Sequence, residues 1–399
     1  MTTPARQNLA ELFRQQGPQY RRQHALPIAH LRVMRAIESC RTAILGGHLE
    51  QCSTCAHQRI AYNSCRNRHC PQCQTMDQLE WLQARQQELL PIPYFHLVFT
   101  VPAPIAALAL ANPRPLFAIL FRTSAAALLT IAQDPKHLGA TPGFFSILHT
   151  WGQNLLFHPH VHCVVTGGGL SPDQQRWIAS PPHFFLSVRV LSRLFRRLFV
   201  EALQAAYDGG ELALPGALAP LQDPSDWEAY LEPVRRQDWV VYAQPPFGGP
   251  EQVLAYLGRY THRVALAPQR ILAWNEHSVT FRYKDYRSSQ PQRQRAMTVS
   301  GNEFIRRFLL HVLPGGFQRI RYYGLWTNRY RAAHLQRCRA LLAGGERSQL
   351  LPSPDQLQTL AQTIVQTAAR CPCCQHGVMV RIGFIAAALW AVPAPLDTS

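Results

Sequence analysis

The chain has 399 residues, 47% of them hydrophobic and only 16% charged, with 40 Lys+Arg against 23 Asp+Glu and a formal net charge of +17. That length suits two or three domains, and that apolar share supplies a real core, which excludes a largely disordered chain. The charge asks for a polyanionic partner, and since Lys136 and Lys284 are the only lysines, the phosphate chemistry on offer is that of arginine forks.

In chain order, residues 6–16 read as a short helix and 28–45 as a second, with Leu31, Met34, Ile37 and Ile44 at helical spacing. A cysteine-rich knuckle follows from Cys52 to Cys73, then a helical stretch at 76–89. YFHLVFTVP (94–102) alternates and stops at proline as a strand does. Residues 113–132 read as a helix, and LLFHPHVHCVVT (155–166) as a strand running into Gly167-Gly168-Gly169. An amphipathic helix is expected over 187–208, and a Pro-, Gly- and acid-rich connector or insertion over 209–236. WVVYA (239–243) reads as a strand, 251–266 as a helix, RILAW and SVTFRY as two strands about Asn275-Glu276, and 303–313 as a helix. A second cysteine group at 371–374 precedes a β-rich tail. The pattern predicts an α+β fold with an antiparallel sheet and helices on one face. We expect a helical zinc-binding, DNA-recognition domain over 1–90, a catalytic domain over 91–300 and a basic DNA-contacting region over 301–399.

The 11 cysteines are an odd number in a long chain, unlike a secreted disulfide framework. The start MTTPARQNLAELFRQQG has no apolar signal core, and apolar stretches meet Pro, Arg or His well before 18 residues. A cytoplasmic protein without a membrane partner is expected.

In CSTCAHQRIAYNSCRNRHCPQCQ, Cys52 and Cys55 form one CxxC knuckle and Cys70 and Cys73 another, a standard way to wrap four thiolates around tetrahedral zinc. Cys40, His48, Cys65 and His69 lie around the same segment and can supply a second zinc site or exchange a ligand with the first. Arg66 and Arg68 protrude from the same loop as candidate DNA contacts. In CPCC, Cys371 and Cys374 have knuckle spacing, with Cys338, His334 and His376 as candidate completing ligands.

The segment FHPHVHCVVTGGG separates His160 from His162 by one apolar residue. On a strand both imidazoles share a face and Val161 enters the core behind them, which makes a metal site with little further arrangement. Gln153, seven residues earlier, is the preferred third ligand and His158 its competitor; nitrogens plus an amide oxygen suit magnesium or manganese. In AYLGRYTHRVAL, Tyr256 and Tyr260 are four apart and share a helix face, with Arg259 and Arg263 near enough to clamp phosphate. Tyrosine can attack a phosphodiester and hold the broken strand covalently. Between Phe304 and Gly345 there is no acidic residue, while Arg306, Arg307, Arg319 and Arg321 interleave with aromatics, a composition suited to single-stranded DNA.

With these motifs the chain resembles the rolling-circle transposases of the insertion sequence 91 family, in the HUH endonuclease superfamily, named for His-hydrophobic-His, here His160-Val161-His162. NSCRNRHCPQCQ, HLVFTVP, HPHVHCVVTGGG, YLGRYTHRVA and FIRRFLLHVLPGGFQRIRYYG carry the resemblance across most of residues 28–380. It implies a sheet of the HUH endonuclease type and an enzyme that nicks one strand at an element end, joins its 5′ phosphate to tyrosine and transfers it to target DNA. It implies His160 and His162 as metal ligands, Gln153 at the spacing of a polar third one, Tyr256 and Tyr260 as nucleophiles, and Cys52, Cys55, Cys70 and Cys73 as zinc ligands. The partners it implies are single-stranded element ends and target DNA, with dimerisation left open. Two other readings compete: a replication-initiator nickase or relaxase with the same chemistry, and a non-catalytic zinc DNA-binding protein. The sequence has no GxxxxGK[ST] loop, which counts against a fused helicase.

Overall fold

The computed structural model describes residues 9–73, 85, 87–181, 185–244, 252–253, 266–285, 294–343 and 370–388. Two helices come first. Helix α1 (Leu9–Gln23) continues through Pro18 beyond the expected end, burying Leu9, Leu12, Phe13 and Tyr20. Helix α2 (Ile28–Ser39) ends sooner than expected because Cys40, its C-cap, turns to an extended conformation. A hairpin of β1 (Gly47–Cys52) and β2 (Gln58–Tyr62) follows. The helix expected over 76–89 falls almost wholly outside the described residues.

The middle of the chain supplies β3 (Tyr94–Thr100), helices α3 (Ala103–Ala111) and α4 (Pro113–Gln133), strands β4 (Thr141–Trp151), β5 (Phe157–Leu170) and β6 (Trp177–Ala179), helices α5 (Val188–Asp208) and α6 (Pro224–Arg236), and β7 (Val241–Gln244). Strand β4 departs from expectation. Its start, Thr141-Pro142-Gly143, carries turn residues, and the rest, FFSILHTW, is buried on both faces, so no apolar-polar alternation marks it. Helix α6 lies inside the expected connector, where an Asp223 cap and buried Trp227, Leu231 and Val234 make it part of the core. The triple glycine of β5 permits close packing: Gly168 has φ +147°, and a Cβ on Gly169 would overlap the Thr141 carbonyl.

The remaining elements are β8 (Ile271–Trp274), β9 (Ser278–Lys284), β10 (Gln294–Ser300), α7 (Gly301–Leu309), β11 (Ile320–Gly324), α8 (Arg331–Leu342) and β12 (Met379–Ile385). Three antiparallel sheets result: β12-β1-β2, β10-β9-β8, and a six-stranded sheet ordered β11-β4-β5-β3-β7 with β6 on β5. The fold is therefore α+β, as expected.

The central sheet buries Phe95, Leu97, Phe99, Phe144, Leu148, Val161, Cys163 and Val165 against α3, α4, α5 and α6. Helix α4 has the length and apolarity of a membrane span, which the sequence reading did not expect. Two thirds of that stretch is buried here, as befits a core helix. On the opposite face, Tyr94, Phe145, Ile147 and Val164 pack with Trp326, Leu335 and Cys338, so α8 covers one end of that face. A second core joins α1 and α2 to β8, β9 and α7 through Phe13, Met34, Phe281, Phe304 and Phe308. With β12 paired to β1 from Gly47–Ile385 to Cys52–Met379, packing crosses the boundaries expected at residues 90 and 300.

Candidate functional site

The end of the sheet face that α8 leaves uncovered carries histidines. Strand alternation puts His160 and His162 of β5 on one side and Val161 in the helix-covered core on the other. Strand β4 pairs His149 directly opposite His160. The rings of His149 and His162 are 4.4 Å apart between centroids, those of His160 and His162 4.8 Å, and those of His149 and His160 5.6 Å. Their ligand nitrogens all lie within 4.8 Å of one another. His149 was missed in the sequence because the strand that carries it was missed.

Hydrogen bonds set the tautomers of the pair on β5. Gln244 on β7 accepts from His96 Nδ1 (3.2 Å), so His96 Nε2 accepts from His162 Nδ1 (2.9 Å), and the acceptor lone pair of His162 sits on Nε2. His160 Nδ1 donates to the His158 carbonyl (2.7 Å), which likewise leaves Nε2 as its basic nitrogen. Metal-ligating histidines are commonly oriented in this way through the second ring nitrogen. Burial pushes His160 and His96 down to about 4, so both imidazoles are neutral near pH 7. His96 and Gln244 were not singled out in the sequence; their signal is the one-to-one pairing of β3 with β7, which needs the sheet.

The cluster opens onto a hollow of about 680 Å³, lined also by Gln153, His158, Tyr283, Lys284 and Asp285. Gln153 lies in the β4–β5 loop, where its backbone carbonyl accepts from Arg270. His149 groups with His160 and His162, and Gln153 and exposed His158 line the same hollow. Tyr256, Tyr260, Arg259 and Arg263 lie outside the described residues. Residues 252–253 are helical, and Val253 is buried with Tyr94, Phe145 and Val164, on the histidine-bearing face of the sheet.

The cysteines regroup. The sequence reading put Cys52, Cys55, Cys70 and Cys73 together; the structure divides them between two four-thiol clusters. Cys70 and Cys73 join Cys40 and Cys65, with Cys73 Sγ 3.4 Å from the sulfurs of both Cys40 and Cys65. Cys40 reaches this cluster because it leaves α2 at the cap. Cys52 and Cys55 join Cys371 and Cys374, since Cys52 ends β1 and β12 pairs along that strand. His48 is not a cluster member, as its Nε2 meets Glu50 at 3.0 Å on β1. His69 is not one either: its Nε2 accepts from the Leu313 N–H (3.1 Å), and burial pushes it down to about 3. Cys338, on α8, is buried in the core against the sheet. A tetrahedral zinc with bonds of about 2.3 Å spaces its sulfurs about 3.8 Å apart. Both clusters have that scale, and all eleven cysteines are free thiols, so the donor sets fit zinc.

The arginines expected at DNA divide as well. Arg66 is exposed, whereas Arg68 donates to the Phe317 carbonyl (2.6 Å). Arg306 and Arg307 both bond Glu303, holding its carboxyl down at about 2. Burial lowers Arg319 to about 10. Arg321 lies 4.4 Å over the Phe121 ring and 5.3 Å from that of Phe317. Phe317 and Trp326 are buried, so part of the arginine–aromatic stretch is core packing.

A family described as "Transposase zinc-binding domain" matches residues 12–101, and one described as "Putative transposase" matches residues 143–333, from β4 through β11. A "Putative transposase y4qJ" of Sinorhizobium fredii is 53% identical over 382 residues, covering 94% of each chain. The "Transposase for insertion sequence element IS801" of Pseudomonas savastanoi pv. phaseolicola is 31% identical over 294 residues, 73% of this chain and 68% of the relative. No solved structure matches the chain. The chain belongs to the transposases of the insertion sequence 91 type, with their zinc-binding domain.

Proposed function

We propose that this transposase nicks and rejoins single-stranded DNA at element ends through a 5′-phosphotyrosine, with His149, His160 and His162 holding a divalent cation and Tyr256 or Tyr260 as nucleophile. The observation that carries this reading is the three-imidazole cluster at the mouth of a hollow, with tautomers set from behind by His96 and the His158 carbonyl. Three nitrogen donors favour manganese over magnesium, and Gln153, which lines the same hollow, is the candidate to add an oxygen. When bound, the cation polarises the scissile phosphate and eases departure of the leaving oxygen. Val253, three residues before Tyr256, is anchored on the histidine-bearing face, which supports a nucleophile helix starting there.

The tyrosine Oη bonds to phosphorus as the P–O3′ bond breaks. The phenolic proton goes to solvent, and the 3′ oxygen leaves with the bonding pair and gains a proton. Attack by a target 3′ hydroxyl reverses the step and frees the tyrosine. Arg259 and Arg263 are assigned to clamp the phosphate, and exposed Arg66 to contact DNA beside the cluster of Cys40, Cys65, Cys70 and Cys73, which holds a structural zinc. Free thiols suit the reducing cytoplasm.

Incubation of the full chain with labelled single-stranded element ends and Mn²⁺ tests the reading. An adduct whose peptide map ends on Tyr256 or Tyr260 is expected. Adduct on serine, or efficient cleavage by Tyr256→Phe/Tyr260→Phe, overturns it.

A further inference from the structure

We infer that the chain binds a second zinc ion between Cys52 and Cys55 near its start and Cys371 and Cys374 near its end, closing the zinc-binding domain with a segment more than 300 residues away. The matched zinc-binding region stops at residue 101 and contains only half of this donor set.

The two halves are built alike. Cys52 Sγ accepts from the backbone N–H groups of Thr54 (3.3 Å) and Cys55 (3.4 Å). Opposite it, Cys371 Sγ accepts from Cys373 N–H and Cys374 Sγ from Gly377 N–H, each at 3.3 Å. Such N–H donors stabilise thiolate, the form that binds metal. Each loop is also tied at its first cysteine, whose N–H donates to the carbonyl of His57 (2.9 Å) or Gly377 (2.8 Å). Across the pair, Cys52 Sγ lies 3.7 Å from Cys374 Sγ and Cys55 Sγ 3.6 Å from Cys371 Sγ, close to the edge of a zinc–thiolate tetrahedron.

The surroundings hold the two loops face to face. Ser53 N–H donates to the Val378 carbonyl (3.0 Å), and Val378 N–H donates to Ser53 Oγ (3.1 Å). A Cβ on Gly377 would overlap Cys52 Sγ, so glycine is required there for the loops to close. The hydrophobic material is thin: among the described residues only Cys52, Cys371 and Met379 are buried together, with Cys374 against them. A junction with so little apolar burial needs another source of stability, and four thiolates around one divalent ion supply it. Cys373 lies within the same loop but is exposed and outside the cluster, which makes it an internal control.

The test is zinc counting by native mass spectrometry on the full chain, purified reduced and without chelator. Two zinc ions per chain are expected, falling to one in Cys371→Ser/Cys374→Ser and remaining two in Cys373→Ser. An unchanged count in the double variant overturns the site, as does a wild-type count of one. Should the double variant fail to fold, thiol alkylation of the wild-type protein decides. Cys52, Cys55, Cys371 and Cys374 should resist alkylation until chelator is added and then react together, while Cys373 reacts throughout. Reaction of Cys55 and Cys374 as fast as Cys373 before chelation, or a mass showing disulfides between the two loops, overturns the inference.

Discussion

Four sulfurs surround the centre of each cysteine cluster, whereas three imidazoles gather at the mouth of a 680 Å³ hollow. A closed all-thiolate set suits an ion that only holds chain together; an open nitrogen set leaves positions for phosphate oxygens and water. The supports differ in kind too. Backbone N–H groups brace Cys52, Cys371 and Cys374, while side chains on neighbouring strands brace His162. The cysteine clusters should therefore fail as folding units and the histidine cluster as a chemical one.

The largest effect is expected at Cys40, Cys65, Cys70 and Cys73. Structural zinc contributes on the order of 10 kcal/mol to the folding of small zinc domains, so Cys65→Ser should cost most of that local stability. Loss of the α1–α2 melting transition, read by near-ultraviolet dichroism, would show it; an unchanged transition would break the contrast. Next comes His160→Ala/His162→Ala, which should lower cleavage by roughly 10²–10³-fold while moving the melting temperature little. A collapse of stability would make the histidines structural.

A smaller effect belongs to His96→Phe, which keeps a ring in place but removes the hydrogen bond to His162. Manganese affinity measured by calorimetry should weaken about 10–100-fold, with stability nearly unchanged. The smallest change tells the two third-ligand candidates apart. Gln153→Ala should alter manganese affinity by less than about threefold, and His149→Ala by far more, since the His149 nitrogen lies within 4.8 Å of those of His160 and His162 and imidazole is the stronger donor to manganese. The reverse order would make Gln153 the third ligand.

What could be read in advance follows from range along the chain. His160 and His162 declared themselves because strand alternation is a property of neighbours, and Val161 buried behind them is its direct result. His149 did not, since a strand buried on both faces has no alternation and this one opens with Pro142-Gly143. CxxC spacing reports a knuckle but not its mate, so Cys52 and Cys55 were joined to the nearest candidates rather than to Cys371 and Cys374. The stretch around Arg319 and Arg321 had the composition of a nucleic-acid surface, and composition does not distinguish a guanidinium on a base from one on Phe121. Trp227 shows the converse, a core residue inside a segment whose prolines and acids read as a connector.

The pairing of β1 with β12 also sets an order of events during translation. Strands β1 and β2 leave the ribosome early, yet the outer edge of β1 stays unpaired until Met379–Ile385 has been made. Throughout that interval Cys52 and Cys55 offer two thiols to whatever metal or protein they meet. A chain that stops anywhere before Cys371 never gains the other pair, so a prematurely terminated product would lack this four-thiol cluster even with its histidine strand complete. Completion of the polypeptide is thus what brings the second pair of thiols to the first.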